Sequence, residues 1–237
     1  MHVIRGLHNL TASHRGCVAT IGNFDGVHRG HQAVIGLARA AGGDAPLGVL
    51  TFEPHPREYF APESPPFRLM SAKARASRLE KLGIDRLYEI NFNAALAALT
   101  PEEFARKVIK DGLGLKHVVV GADFCFGNKR AGTVDDLKRF GEEMGFGVTV
   151  APILEHEGGQ VSSTAIRQAL TDGRPRDAAA QLGHWHRIEG TVIGGEQRGR
   201  YQTFEATRDE LMDHYRKRPG RIVSNEVPIK YVSHHAG

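Results

Sequence analysis

Residues 22–31 read Gly22-Asn23-Phe24-Asp25-Gly26-Val27-His28-Arg29-Gly30-His31, with three glycines and two histidines in ten positions. A short apolar run, 17–21, precedes them. Apolar residues at helical spacing, Val34, Ile35, Leu37 and Ala38, follow. A glycine turn leading from a strand into a helix offers free amides and the positive end of the helix dipole to an anion. His28 and His31, three residues apart, fall on one side of that turn and can donate hydrogen bonds to phosphate oxygens. The chemistry on offer is phosphate recognition; the bland alternative is a glycine turn with two surface histidines. The segment lacks the Gly-Lys-Ser/Thr of a Walker A loop and the GxGxxG of a dinucleotide fingerprint.

Three further segments carry chemistry. Thr51-Phe52-Glu53-Pro54-His55-Pro56 is stiff, because a residue held between two prolines has little conformational freedom. It is either a ligand loop or a rigid turn with an incidental histidine. In Gly121-Ala122-Asp123-Phe124-Cys125-Phe126-Gly127, Asp123 can accept from ribose hydroxyls or an adenine amine. Phe124 and Phe126 offer ring faces to an aromatic ligand, or pack into a core. In Val161-Ser162-Ser163-Thr164-Ala165-Ile166-Arg167, three hydroxyls open a helix with an arginine one turn in. That is a phosphate clamp, or an ordinary helix cap beside a solvent-facing arginine.

The elements that must position these residues alternate short β-type runs with helical patterns, predicting βαβ units and a parallel α/β sheet. Strands are expected at 17–21, 47–52, 87–90, 118–120 and 148–150. Each candidate segment but the last follows a strand end, the edge where open parallel sheets bind ligands. Helices are expected at 31–41, from a Ser71 cap to residue 82, from the Thr100-Pro101-Glu102-Glu103 start, from Thr133 to about 144, from Ser162 or Ser163 through 170, and at 175–182. Residues 53–66, rich in proline and aromatics, read as a loop. Beyond 182 the texture changes: a strand is expected at 186–192 and a charged helix at 208–218.

At 237 residues, 41% hydrophobic and 24% charged, the chain suits a large α/β domain, 1–184, followed by an appendage, 185–237. A net charge of +4, without a basic run interleaved with aromatics, predicts no nucleic-acid partner. Cys17 and Cys125 form neither a CxxC nor a zinc-ligand spacing, and no apolar run approaches the roughly 18 residues of a membrane span. The expectation is a cytoplasmic protein with no membrane association.

In order and spacing, the four segments resemble the FAD synthetase module of bacterial bifunctional riboflavin kinase/FMN adenylyltransferases, over residues 14–183. HxGH alone would resemble only the wider nucleotidyltransferase superfamily, whose Rossmann-like parallel sheet is the implied fold. The resemblance implies transfer of AMP from ATP to FMN, giving FAD and pyrophosphate. It places Gly22, Asn23, Phe24, Asp25, Gly26, His28 and His31 around ATP, and Asp123 at the nucleoside end. Ser162, Ser163, Thr164 and Arg167 would hold the triphosphate, with His28, His31 and Arg167 as the catalytic donors. Phe52, Pro54, His55, Pro56 and Phe124 would face the flavin. Mg²⁺ would be bound mainly through the phosphates, with no metal site built by the protein.

The family continues into a riboflavin kinase barrel. Here Glu189-Gly190-Thr191-Val192 and Arg198-Gly199-Arg200 match its opening, but Tyr201-Gln202-Thr203-Phe204-Glu205-Ala206 departs from the Gly-[Phe/Tyr]-Pro-Thr-Ala-Asn segment that follows. Too few residues follow Trp185 for that barrel, so no kinase activity is expected. Residues 188–192 are expected to leave an unpaired strand edge prone to association. The rival readings are another HxGH enzyme, such as a cytidylyltransferase or pantetheine-phosphate adenylyltransferase, and a non-catalytic nucleotide- or flavin-binding remnant.

Overall fold

Val118, Val119 and Val120 are all fully buried, yet they do not share a neighbourhood. Val119 packs with one hydrophobic cluster; Val118 and Val120 pack with another. Side chains alternate across a strand, so a strand apolar at every position must be covered on both faces. The computed structural model, which describes residues 1–8, 10–156 and 159–186, has that architecture.

The strands are β1 (His2–Arg5), β2 (Val18–Ile21), β3 (Leu47–Glu53), β4 (Arg86–Asn91), β5 (His117–Gly121) and β6 (Gly147–Ala151). They form one sheet in the order β1-β4-β3-β2-β5-β6, and every neighbouring pair is parallel. One face is covered by α1 (Arg29–Gly42) and α3 (Ala72–Lys81), whose Ile35, Ala38 and Leu79 meet Val18, Val49, Leu87 and Val119. The other is covered by residues 101–115 and by α6 (Val134–Met144), which bring Phe104, Val108, Ile109, Leu137 and Phe140 against Ala19, Leu50, Ile90, Val118 and Val120. A third cluster joins α7 (Ser163–Thr171) and α8 (Pro175–Leu182) to Leu69 through Ile166, Ala169, Leu170, Ala178 and Leu182.

The helix starts follow their capping residues. Ser71 Oγ accepts from the Ala74 amide and Ser162 Oγ from the Ala165 amide. Thr100 and Thr133 form capping boxes with Glu103 and Asp136. The helix opened by Thr100 begins as α5 (Pro101–Phe104) and passes into a π-helical stretch, Ala105–Lys110.

The loop expected at 53–66 contains a helix, α2 (Pro56–Phe60). Pro56 sits at its first turn, where no amide is needed, and His55 with Glu58 makes the capping box. The proline content that reads as a loop here includes a helix starter. Short elements also escape the periodicity, among them β1, too short and polar to register, and the single turn α4 (Ala94–Ala97). The expected strand at 186–192 (beyond His186) and helix at 208–218 lie outside the described residues. No helix among the described residues is long and apolar enough to cross a membrane.

Candidate active site

The chain runs from β2 through α1 to β3 on one side, and later places β5 on the other side of β2. This reversal of strand order opens a crevice at the carboxyl ends of β2 and β5, where ligands bind in such sheets. Val18, Ala19 and Thr20 pair with His117, Val118 and Val119, so the segments beginning at Gly22 and Gly121 leave the sheet side by side. Asp123 stands exposed on this edge.

Residues 22–31 form a tight turn into α1. Phe24 (φ 51°), Gly26 (φ 86°) and Val27 (φ 43°) adopt left-handed backbone, unusual for phenylalanine and more so for a β-branched valine. Both non-glycine side chains are fully buried, and that packing holds the geometry. A Cβ at Gly26 would approach Leu69 to 2.8 Å, and one at Gly30 would meet the His28 ring at 3.1 Å. Among the described residues, the amides of Phe24, Gly26, Arg29 and Gly30 have no hydrogen-bond partner. Unpartnered amides at a helix start form an anion cradle.

The two histidines stack on each other, with ring centroids 3.6 Å apart, and Phe24 flanks His31 at 4.8 Å. His28 caps α1: its Nδ1 accepts from the His31 amide at 3.3 Å, which leaves the proton of the neutral ring on Nε2. His31 Nδ1 is buried without a partner. Burial, with a lesser contribution from Arg167, pushes His28 down to about 4. Burial and the neighbouring His28 hold His31 well below the usual imidazole range. Both rings are therefore neutral near pH 7.

Stability should respond accordingly. Between the folded and unfolded values of these histidines the unfolded chain binds more protons, so stability rises with pH across that window and is lost as pH falls through it. The urea midpoint is expected to fall from about pH 7 to about pH 5. A flat profile over that interval would count against neutral burial of the pair.

Arg167 and the three hydroxyls, read from sequence as a triphosphate clamp, are engaged with the protein itself. Ser162 caps α7, and Ser163 Oγ donates to the Asp25 carbonyl at 2.8 Å. Arg167 Nη1 pairs with Asp25 Oδ2 at 2.8 Å, while the Leu69 amide donates to Asp25 Oδ1 at 2.8 Å. Thr164 Oγ1 lies 3.4 Å from Arg167 Nη2. Burial raises the Asp25 carboxyl, and the Leu69 amide and Arg167 draw it back only in part. Asp25 is thus the bolt between loop and helix α7, and it keeps the Arg167 charge beside the turn. Downstream, His184 Nε2 lies 3.1 Å from the Gly26 carbonyl, and Gln32 donates to both Val27 and Leu182 carbonyls at 2.9 Å.

At the end of β3, His55 caps α2 through Nδ1, which accepts from the Arg57 amide at 3.0 Å. Burial first, and nearby Arg68 second, lower His55 to about 4. Pro54 is exposed, and Pro56 is the first residue of α2. Phe52 and Phe124 are half-buried and belong to one aromatic row: Phe52 meets Phe104, Phe104 meets Phe126, and Phe126 stacks on Phe124 at 5.5 Å.

Two features escaped the sequence reading. Phe60, 69% exposed, stands edge-on to Tyr59 and Phe92 beside the Pro-His-Pro loop, and the Tyr59-Phe60 pair just after that loop was its signal. The second is an ion network. Arg68 pairs with Glu53 at 2.7 Å and with Glu58, and Arg75 pairs with Glu53 at 3.0 Å and Glu89 at 3.3 Å. Burial tends to raise the Glu53 carboxyl, but the bonds and charges of Arg68 and Arg75 prevail and hold it below the usual range. The signal was Arg75 standing four residues before Leu79, on the inward stripe of α3. A surface depression lined by Met1, Arg39, Asp85 and Arg86 lies at the opposite edge of the sheet, away from these groups.

Comparison with known proteins accords with this geometry. The FAD synthetase family model matches residues 10–165. A bifunctional riboflavin kinase/FMN adenylyltransferase of Pseudomonas fluorescens is 45% identical over 202 residues, which cover 84% of this chain and 65% of that protein. The one from Escherichia coli (strain K12) is 40% identical over 203 residues, with the same coverage. The chain thus spans 65% of the length of these relatives. The crystal structure of a macrolide-efflux protein from Streptococcus pneumoniae superposes with a TM-score of 0.73 at 32% identity, over 84% of this chain and 65% of that one.

Proposed function

Because the chain belongs to the FAD synthetase family, we propose that it transfers AMP from ATP to FMN, releasing pyrophosphate and forming FAD. The observation that carries this reading is the turn after β2. Unpartnered amides, a neutral histidine stack and the Asp25-anchored Arg167 converge there, at the point where the strand order reverses.

In this reading a phosphate oxygen of FMN attacks the α-phosphorus of ATP in line. A new P–O bond forms as the bond to the β-phosphate oxygen breaks, and pyrophosphate leaves with the electron pair. The nucleophile is already an anion, so no general base is required, and the work is positioning and charge neutralisation. His28 donates from Nε2, since its Nδ1 is occupied by the helix cap. Approach of phosphate raises the affinity of both rings for a proton, opposing the burial that keeps them neutral. Gly22, Asn23, Phe24, Asp25, Gly26, His28 and His31 surround the nucleotide, with Asp123 at its nucleoside end. Ser162, Ser163, Thr164 and Arg167 line the phosphate side. The flavin lies along Phe52, Pro54, His55, Pro56 and Phe124, with the exposed ring of Phe60 as a further face.

Among the described residues no group of three or more His, Cys, Asp or Glu is placed to hold a metal ion. Mg²⁺ carried on the phosphates of ATP would supply charge neutralisation at the turn. The adenylyltransferase unit in this proposal is 1–184, followed along the chain by 185–237, and the protein acts in the cytoplasm.

An FAD-formation assay with FMN, ATP and Mg²⁺ tests the reading. FAD and pyrophosphate formed together are the expected outcome. ATP and FMN binding without FAD would establish the binding-only alternative instead.

A further inference from the structure

Arg75 is buried at 3% exposure, the one buried lysine or arginine among the described residues. Its Nη2 bridges Glu53 and Glu89, and its Nη1 donates to the Asn23 carbonyl at 3.3 Å. Thr51 Oγ1 donates to that same carbonyl, also at 3.3 Å. Well-packed apolar side chains commonly replace buried ion sets without loss of stability, so stability alone does not account for this one. What an apolar residue could not supply is the donor at Asn23.

A trans peptide points its carbonyl and the following amide in opposite directions. With the Asn23 carbonyl held toward Thr51 and Arg75, the Phe24 amide is turned the other way, and among the described residues it has no partner. Phe24 itself is left-handed, a conformation that persists only when its surroundings impose it. Turns that alternate into this region gather their amides into an anion-binding concavity. On its other side Arg75 holds Glu53, the residue before Pro54 of the acceptor loop.

We infer that Arg75 is a positioning residue: it fixes the Asn23–Phe24 peptide so that the Phe24 amide faces the phosphates of the nucleotide, and it ties that setting to the acceptor loop through Glu53. This rests on the nucleotide site proposed above.

The test is calorimetric titration of the full-length protein with ATP and Mg²⁺, alongside melting temperatures, for the parent, Arg75→Lys, Thr51→Val and Glu89→Gln. Lysine cannot reach Asn23 and both carboxylates at once. Arg75→Lys is expected to weaken ATP about tenfold, the size of one hydrogen bond to a charged donor. Thr51→Val should weaken ATP in the same direction without touching the ion network. Glu89→Gln should lower the melting temperature but leave ATP affinity unchanged, because it spares the bond to Asn23. Parent-like ATP affinity in Arg75→Lys would overturn the inference, as would affinity losses that merely track melting temperature across the series. If Arg75→Lys fails to fold, the contrast between Thr51→Val and Glu89→Gln decides. A parent protein that binds no ATP overturns both this inference and the nucleotide site; one that binds ATP without forming FAD overturns the proposed reaction alone.

Discussion

Replacing His28 or His31 with alanine is expected to lower turnover by about 100- to 1000-fold, the usual effect of removing a preorganised donor to developing charge. FMN binding should change far less. The histidines sit at the phosphate turn after β2, whereas the proposed flavin contacts lie at the ends of β3 and β5. His28 has a second duty, because its Nδ1 caps α1. His28→Ala therefore also removes a cap, which costs about 1 kcal/mol of stability. His28→Asn separates the two effects: asparagine caps a helix well but places its donor elsewhere. Turnover in that variant should remain low while the unfolding midpoint recovers. Steady-state turnover and FMN dissociation constants, measured on the same preparations, check the prediction. Near-normal turnover in both alanine variants would remove the histidines from the mechanism.

Asp25→Ala should be the most destabilising single change in the site, at about 3–5 kcal/mol of unfolding free energy. It removes the Asp25 carboxylate from beside the part-buried Arg167 and the acceptor from the Leu69 amide, and so loosens the hold of α7 on the turn. Asp25→Asn retains an acceptor for Leu69 but loses the charge, so it should fall between the parent and the alanine variant. Urea unfolding at neutral pH gives the numbers. A loss below about 1 kcal/mol in Asp25→Ala would show that the carboxylate contributes no more than a surface ion pair does.

Much of this architecture is legible in the sequence because the relevant signals are local. The caps at Ser71, Thr100 and Thr133, the Pro175 start and the apolar runs at β2, β3 and β5 each follow from chemistry within a few residues. What was not legible depends on partners distant in the chain. The structural duty of Asp25, bolting the turn to α7, shows only when Leu69, Ser163 and Arg167 are brought to it. Arg75 reads as one of several charges on α3, where its neighbour Arg78 is also basic. Only the fold reveals that Glu53, Glu89 and the Asn23 carbonyl surround it. The Pro-His-Pro segment misled for a different reason: whether a proline stops or starts a helix depends on which side of it the helix lies.

The order of the strands also imposes a timetable on synthesis. Of the six strands β1 leaves the ribosome first, yet among the described residues it pairs only with β4, where His2 is in register with Arg86. The N-terminal strand must therefore wait, while β2 and β3, joined by the single helix α1, pair as soon as both have emerged. Contacts of short sequence separation form first because their loops cost least entropy to close. The phosphate turn lies inside that earliest unit, so a nascent chain builds its nucleotide loop before the sheet that will frame it is complete.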